Sequence, residues 1–305
     1  MSSDLILRIL LEPALLKSAE AGEHNFINIV SETAKNSGYR IEFRPSSEME
    51  MARVVDENVY TLTHMKHPPT MRGLVFRRVY YYPFWQIDQT SERWHWDIAK
   101  AVFDAGSVEP KEAERFAHFW KKRLFGVAPQ NTSRSGMIYV PLQGRPRQHR
   151  SFQSCSPVEM LEQTLQHCAG RRVVATLHPK EHYSPSDLAV LEQLEARYPK
   201  LAITTGDMER HLQTCDFVVT QNSSAAFAGY FFGKPALLFG QIDFHHIAVR
   251  ADMNDLASSF AEVAAATPEY DKYLWWFWQS QSINAGKESA AAKISARLTR
   301  FGWPM

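Results

Sequence analysis

The sequence predicts an α/β protein with two domains, each a doubly wound sheet covered by helices. Three observations lead to this prediction: strand-like segments alternate with helical ones, a polar linker interrupts the alternation, and the chain is long enough for two cores. The chain has 305 residues, of which 45% are hydrophobic, and this length is about twice that of a usual single domain. In sheets of this kind, ligands bind at the carboxyl ends of the strands.

The first part of the chain opens with a β-α-β pattern. An apolar run at residues 5–11 predicts a strand, and an Asn-Ser-Gly stop separates a helix at residues 25–37 from a strand at residues 39–44. Residues 74–82 predict a further strand, which runs into a segment rich in Trp and Tyr. Residues 110–124 predict an amphipathic helix with a proline in its first turn, where the missing N–H costs nothing.

A polar, Gly- and Ser-containing linker at residues 126–136 separates the two halves. The alternation restarts directly after it. The predicted strands are at residues 137–142, 171–177, 201–204, 217–219 and 236–239, and the predicted helices are at residues 156–168, 186–198, 208–214 and 225–232.

This order of elements predicts two Rossmann-like domains that face each other across a cleft, which would close on a ligand. The predicted domains cover residues 1–128 and residues 136–284. Residues 285–305 contain an Ala-rich segment and predict a C-terminal helix that returns toward the first domain.

Composition excludes several classes of partner. The formal net charge is +1, and neither basic runs nor an RNA-type aromatic motif occurs, so nucleic acid is not expected as a partner. The three cysteines (Cys155, Cys168 and Cys215) are odd in number and lack metal-ligand spacing, which favours a reducing compartment. The chain starts without a charged region before its first apolar stretch, and no stretch approaches ~20 apolar residues. We expect a cytoplasmic protein with neither signal peptide nor transmembrane segment, and peripheral association with the inner face of the membrane stays open.

A Ser-rich turn is the strongest candidate for a ligand site. Residues 217–219 predict a buried parallel strand and residues 225–232 the helix after it, so Asn222, Ser223 and Ser224 fall at the helix N-terminus. Unpaired N–H groups and the positive end of the helix dipole favour an anion there, and two hydroxyls add donors. The alternative is an ordinary helix cap, worth about 1 kcal/mol of stability.

A His-Pro turn is the second candidate. The strand that ends at residue 177 is followed by His178, by Pro179, which stops the sheet ladder, and by Lys180, which brings a fixed charge. Alone, His178 could be a histidine satisfied at a strand end. We expect the Ser-rich turn on a neighbouring strand, so that the two turns together bind a phosphorylated ligand.

Five short stretches carry a resemblance to a known family, through their order and spacing. They are Tyr-Val-Pro-Leu-Gln at 139–143, Phe-Gln-Ser-Cys-Ser-Pro at 152–157, Leu-His-Pro-Lys at 177–180, Thr-Gln-Asn-Ser-Ser-Ala-Ala at 220–226 and Gly-Lys-Pro-Ala-Leu-Leu-Phe-Gly at 233–240. The region resembles the nucleotide-binding domain of GT-B glycosyltransferases that use CMP-activated sugars. It resembles the capsule-type β-Kdo transferases most and bacterial sialyltransferases more distantly, over the last half to two-thirds of the chain.

The resemblance implies an inverting, metal-independent transferase of the GT-B type, with no cofactor apart from the CMP-sugar donor. The donor sugar would be Kdo-like or sialic-acid-like, and the acceptor a glycan or glycolipid of bacterial surface polysaccharide, as in capsule or lipopolysaccharide synthesis. Residues 1–128 would bind the acceptor and residues 136–284 the donor. The residues expected to bind the donor are Gln143, Arg147, Ser154, Ser156, His178, Lys180, Gly206, Asp207, Asn222, Ser223 and Ser224.

Two of these assignments have other support. Arg147 belongs to a basic loop that follows a strand end and can pair with a phosphate or carboxylate, although a solvated loop is an equal alternative. Gly206 and Asp207 follow a predicted strand where GT-B enzymes commonly recognise the base or ribose. The chain has no Asp-x-Asp motif of the kind that holds Mg²⁺ on a diphosphate.

The catalytic groups predicted are an acid-side histidine and a carboxylate base. His178 would stabilise the leaving phosphate and donate a proton to it. An inverting transferase also needs a base, for which Asp88 in the aromatic segment is the first choice and Glu23 the second, while Glu12 ends the first strand. The nearby Trp residues could stack on sugars, but core packing is the better explanation for most of them.

Two alternatives remain open. A GT-B enzyme of another donor class, using a UDP-sugar or a CDP-alditol, would keep the same two turns. A non-catalytic nucleotide- or sugar-binding module would keep the fold without the base.

Overall fold

The computed structural model describes residues 5–305, so the segment Met1–Asp4, part of the argument against a signal peptide, lies outside the described residues. The chain forms two compact units. The first contains the residues up to Ala101 together with Phe277–Met305, and the second is Val102–Trp276. The chain therefore contributes to the first unit twice.

The strands of both units are short. They are β1 (Leu5–Leu11), β2 (Tyr39–Pro45), β3 (Tyr60–His64), β4 (Gly73–Arg78), β5 (Phe84–Asp88), β6 (Met137–Pro141), β7 (Arg172–Leu177), β8 (Leu201–Thr205), β9 (Phe217–Thr220), β10 (Ala236–Leu238), β11 (Val249–Arg250) and β12 (Ile283–Asn284).

Helices connect most of these strands. They are α1 (Pro13–Glu20), α2 (Asn25–Asn36), α3 (Glu48–Arg53), α4 (Asp97–Lys100), α5 (Pro110–Phe125), α6 (Pro157–Gln166), α7 (Pro185–Arg197), α8 (Met208–Thr214), α9 (Ser224–Phe231), α10 (Leu256–Ala265), α11 (Tyr270–Trp275) and α12 (Ala290–Arg300).

The sheet of the first unit has the strand order β12-β5-β4-β3-β1-β2. The four strands β1 to β4 pair in parallel, whereas β5 pairs antiparallel with both β4 and β12. The chain order reverses between β1 and β3. Ligands of such sheets bind at this switch point, which here lies beyond Leu11 and His64, the last residues of these strands.

The sheet of the second unit has the order β11-β10-β9-β6-β7-β8, with every pairing parallel. The chain order reverses between β6 and β9, which is the arrangement of a dinucleotide-binding Rossmann sheet. The predicted α/β class with two parallel-sheet bodies is confirmed.

Each unit has its own hydrophobic core. In the first, Phe26 of α2 stacks on Trp85 of β5 with ring centroids 4.6 Å apart. Helix α12 packs against α2 and buries Ile294 and Leu298 completely. In the second, the strands β6 and β9 are buried along their whole length, as expected for central parallel strands.

The division between units differs from the sequence-based boundaries. The first domain was predicted to end at residue 128, whereas the chain passes into the second unit after Ala101. Helix α5 accounts for the difference, because it packs extensively against α11 of the second unit. The later boundary lies after Trp276 rather than at residue 284.

Candidate functional site

The candidate donor site lies at the carboxyl ends of the strands in the second unit. Strand β6 lies between β9, which leads into the Ser-rich turn, and β7, which leads into the His-Pro turn. The expectation that the two turns follow neighbouring strands is therefore wrong. They begin two strand spacings apart, about 10 Å, and the loop from β6 to α6 leaves the sheet between them.

The Ser-rich turn caps helix α9. The Ser223 hydroxyl accepts a hydrogen bond from the backbone N–H of Ala225 at 3.2 Å, which makes Ser223 the N-cap. Ser224 is exposed, and Asn222 is buried with its amide donating to the Gln241 carbonyl. Ser223 therefore has the ordinary capping role that was the alternative to ligand binding. The Ser224 hydroxyl is exposed at the same end of the helix.

The His-Pro turn fixes the orientation of its imidazole. The backbone N–H of Lys180 donates to Nδ1 of His178 at 3.2 Å, and the backbone N–H of His178 donates to the Tyr183 hydroxyl at 2.9 Å. Because Nδ1 accepts, the proton of the neutral ring is on Nε2. The side chains of His178 and Lys180 are both exposed, so the turn presents an N–H donor and a cation to solvent.

The loop between β6 and α6 is fastened to both neighbouring turns. Gly144 of the loop lies beside the side chain of Glu181, in the segment after β7, and Phe152 of the loop lies with its backbone oxygen against Gly240, which follows β10. The backbone N–H of Ser154 also donates to the Phe239 carbonyl at 2.7 Å. The amide Nε2 of Gln221, which follows β9, donates to the Cys155 carbonyl at 2.9 Å. These hydrogen bonds hold the loop against the ends of β9 and β10.

Two donor-binding residues predicted in this loop have structural partners. Arg147 forms an ion pair with Asp187 at 3.0 Å and donates to the Ser186 hydroxyl, both in the first turn of α7. Ser156 is buried as the N-cap of α6 and forms a reciprocal capping box with Glu159. Their side chains hold the loop in place, and Ser154 is exposed beside them.

Several buried polar atoms in and beside the same loop have no hydrogen-bond partner within residues 5–305. They are Oε1 of Gln143, Nε and Nη2 of Arg150, Nε2 of Gln153 and Oε1 of Gln221. Buried polar groups are normally paired with protein, water or ligand atoms, so these atoms are candidates for contact with an ordered water or a polar ligand. Gln143 was among the predicted donor-binding residues, and Arg150 belongs to the basic loop that was predicted to pair with a phosphate or carboxylate. Gln153 and Gln221 were not predicted as site residues, because residue type does not rank the glutamines near one loop.

The turn after β8 lies at the opposite edge of the sheet from β11. Gly206 and Asp207 both have left-handed backbone conformations, with φ of 70° and 56°. The Asp207 carboxylate is exposed and lies 3.6 Å from Arg210. The turn is thus at the carboxyl end of β8, one strand beyond the His-Pro turn.

In the first unit, Asp88 is not placed as a catalytic base. It is 4% exposed, and its register partner is Val75 near the amino end of β4, so it lies about 10 Å from the carboxyl edge of the sheet. Oδ2 pairs with Nη2 of Arg297 at 2.7 Å and accepts the backbone N–H of Asp97, while Oδ1 accepts that of Gln89. This prediction is corrected: Asp88 is a buried structural carboxylate at the wrong end of the strands.

Glu23 is placed differently. It is exposed and directly precedes His24, the N-cap of α2, whose Nδ1 accepts the backbone N–H of Ile27 at 3.2 Å. Burial, with Arg78 as a further cause, lowers the pKa of His24. Glu12, exposed at the end of β1, is a second carboxylate at the switch point.

Basic side chains also lie at the carboxyl edge of the first sheet. Burial lowers the pKa of His64, the last residue of β3, to about 4, with the charges of Arg77 and Arg78 adding to the effect. Both arginines end β4. The carboxyl edge of the first sheet thus combines two histidines whose pKa values are lowered with two arginines, and this combination was not predicted from the sequence.

The tryptophans of the aromatic segment are mostly core residues. Trp85 is 4% exposed and lies edge-on to His24, and Trp96 is 1% exposed with its indole N–H donating to the Thr90 carbonyl. Neither is available to stack on a sugar, as the sequence analysis favoured. Trp94 is half-buried.

Residues 5–305 contain neither a cluster of metal ligands nor a membrane-spanning helix. No group of three or more His, Cys, Asp or Glu side chains in this range is arranged to hold a metal ion. None of the helices in this range is long and apolar enough to cross a membrane. The three cysteines are free and buried.

No protein-family model matches the chain, and no curated protein sequence does. Among solved structures, KpsC of Thermosulfurimonas dismutans, a β-Kdo 2,7 transferase, matches with a TM-score of 0.55 and 11% identity, over 98% of this chain and 99% of that chain. A β-Kdo 2,4 transferase structure of KpsC from the same organism matches with a TM-score of 0.48 and 11% identity, over 90% and 98%. The first match shows the fold: the chain has the two-body α/β architecture of GT-B glycosyltransferases.

Proposed function

We propose that this chain is an inverting, metal-independent glycosyltransferase that moves a Kdo-like or sialic-acid-like sugar from a CMP-sugar to a glycan or glycolipid acceptor in surface polysaccharide synthesis. The observation that carries the proposal is the set of groups suited to an anion at the carboxyl ends of β9 and β7, which flank β6. They are the N-terminus of α9 with Ser224, and the outward Nε2–H of His178 with Lys180 beside it.

These groups suit a single phosphate as leaving group. As the bond to the anomeric carbon lengthens, negative charge develops on the phosphate of CMP, and preoriented N–H and O–H donors stabilise that charge. His178 acts as a hydrogen-bond donor through Nε2. It becomes a proton donor only when Nδ1 is also protonated, which breaks its hydrogen bond with the Lys180 N–H. Lys180 adds a fixed charge, so the chain itself supplies the neutralisation that a metal supplies elsewhere.

Glu23 is the proposed base. Inversion needs a carboxylate that accepts the acceptor hydroxyl proton on the face opposite the leaving group. Glu23 is exposed and follows α1 at the carboxyl side of the first sheet, whereas Asp88 is buried and engaged by Arg297. Glu12 at the switch point is the second carboxylate with suitable exposure.

Nucleotide selectivity tests the proposal. The melting temperature is measured with CMP, CDP, UMP and UDP at matched concentrations, without and with Mg²⁺, for wild type, His178→Ala and the control His182→Ala, an exposed histidine of the same loop. We expect a metal-independent shift with CMP that is lost in His178→Ala and kept in His182→Ala. A preference for UDP would indicate another donor class, and a shift with none of the four would overturn the proposal.

Turnover separates an enzyme from a binding module. If CMP raises the melting temperature, the wild-type protein is then incubated with CMP-Kdo or CMP-sialic acid. The release of CMP is measured with and without candidate glycolipid acceptors. We expect acceptor-dependent release. Binding without release under any acceptor would favour the non-catalytic module.

A further inference from the structure

Arg150 carries an unpaired, buried edge of its guanidinium group. The residue lies in the loop between β6 and α6, with its guanidinium carbon 4.8 Å from the centroid of the Phe152 ring. Its backbone N–H donates to Oε1 of Gln153 at 2.8 Å. Nε and Nη2 are buried and have no hydrogen-bond partner in the described part of the chain.

This edge has the geometry that binds an oxyanion. Nε and Nη2 donate in parallel, and they match the two oxygens of a carboxylate or the two outer oxygens of a phosphate. Leaving buried donors of a charged group unpaired is costly. Burial lowers the pKa of Arg150 and the neighbouring Arg145 lowers it further, while Glu181 raises it without accepting from Nε or Nη2.

The other two arginines of the loop differ. Arg147 is held by Asp187 and Ser186, and Arg145 is exposed. Arg150 is the arginine of this loop whose Nε and Nη2 are both buried and have no hydrogen-bond partner among residues 5–305. Its position is held by the loop itself, because the Gln153 backbone pairs with Gly240 in an isolated bridge beyond β10. The guanidinium is therefore presented by a fastened loop at the carboxyl side of the sheet.

We propose that the Nε–Nη2 edge of Arg150 receives the carboxylate of the donor sugar in a bidentate ion pair. The inference rests on the proposed function and specifies the donor as an acidic sugar. In a 2-keto sugar acid, the carboxylate is attached to the same carbon as the leaving phosphate, so the two anions need adjacent but separate receptors. The α9 N-terminus and His178 serve the phosphate, and Arg150 serves the carboxylate.

Binding to two ligands that differ only by the sugar tests the assignment. Dissociation constants for CMP and CMP-sialic acid, and for CMP-Kdo where it is stable enough, are measured for wild type, Arg150→Gln and Arg150→Lys, with Arg145→Gln as the control on the same loop. We expect both Arg150 variants to bind CMP within about 2-fold of wild type and to lose at least about 10-fold for the CMP-sugar. Arg150→Lys should also lose affinity, because lysine keeps the positive charge but lacks the two parallel N–H donors of the guanidinium group.

Two outcomes would overturn the assignment. Unchanged CMP-sugar affinity in Arg150→Gln shows that the edge binds no part of the donor. An equal loss of affinity for CMP and for the CMP-sugar would show that this edge of Arg150 binds the phosphate rather than the carboxylate. Arg145→Gln should match wild type with both ligands.

A ligand-free measurement distinguishes failure here from failure of the proposed function. If Nε and Nη2 are buried without a partner, Arg150→Gln should melt at a higher temperature than wild type, because it removes an uncompensated buried charge. A lower melting temperature would reveal a structural partner and overturn the inference, whatever nucleotide the protein binds. Wild type that binds neither CMP nor CMP-sugar, with the melting temperature raised in Arg150→Gln, would sink the proposed function and the carboxylate assignment together.

Discussion

Asp88 and Arg297 are 209 positions apart in the chain, yet Oδ2 of the first lies 2.7 Å from Nη2 of the second. Arg297 also donates to the Ile87 carbonyl and pairs with Asp97. The pair therefore fastens helix α12 to the end of strand β5. Asp88, which was predicted from the sequence as the catalytic base, therefore has a structural role.

Asp88→Asn should reduce stability rather than selectively reduce turnover. Losing the charge weakens hydrogen bonds to Arg297 and to two backbone N–H groups, so we expect the free energy of unfolding to fall by about 2 kcal/mol. Urea unfolding measures it. Glu92→Gln, an exposed carboxylate of the same segment, is the control. A stable Asp88→Asn protein with kcat reduced more than about 100-fold would restore Asp88 as the base.

Glu23→Gln should strongly reduce turnover while leaving the donor site intact. Removing a general base typically lowers kcat by about 10²- to 10⁴-fold, whereas CMP should still raise the melting temperature as in wild type. Glu20→Gln, exposed in α1, should behave as wild type. If Glu12→Gln rather than Glu23→Gln loses kcat, the base is the carboxylate at the end of β1.

Ser223 and Ser224 can be separated by their roles at the α9 N-terminus. Ser223→Asp keeps a capping oxygen but places a negative charge beside the phosphate, so we expect near wild-type stability and loss of CMP binding. Ser224→Ala, which removes an exposed hydroxyl, should weaken CMP binding with little change in melting temperature. Ser223→Ala should cost about 1 kcal/mol of stability. CMP binding retained by Ser223→Asp would place the phosphate elsewhere.

His64 should make the folded protein sensitive to mild acid. Burial lowers its pKa from 6.5 to about 4, so between these values the unfolded chain binds a proton that the folded chain does not. Stability then falls as pH falls, by about 2 kcal/mol between pH 6.5 and pH 5.0 from this residue. Urea unfolding at the two pH values should show that loss in wild type and its absence in His64→Gln. The other histidines are common to both proteins, and equal losses would mean that His64 is not the source.

Much of the fold could be predicted from local patterns. The first strand, the helix after the Glu23-His24 segment and the alternation from β6 to β10 follow from apolar runs, caps and Gly or Pro stops. Strands β3 and β5 were not predicted. Strand β3 is five residues with polar Thr and His, and β5 lies within an aromatic segment interrupted by Pro83, so neither has a clear period.

The site was only partly accessible to the same approach. The Ser-rich and His-Pro turns carry their own signals, since each joins a buried strand to polar residues. Their spacing does not, because the position of β6 between β7 and β9 depends on how the chain crosses the sheet. Residue type also cannot show which side chains have structural partners. Asp88 and Arg147 pair with Arg297 and Asp187, which lie far along the chain. Nε and Nη2 of Arg150 have no partner among the described residues.

The first unit is built from two separated stretches of chain, whereas Val102–Trp276 is continuous. The continuous unit therefore contains all of its own residues before residues 277–305 have been synthesised. The amino-terminal strands cannot complete their sheet at that stage, because β12 and α12 are synthesised later. These two elements cover the edge and one face of the sheet. Although translated first, this sheet is completed last, and the outer edge of β5 has no strand partner until β12 has been synthesised.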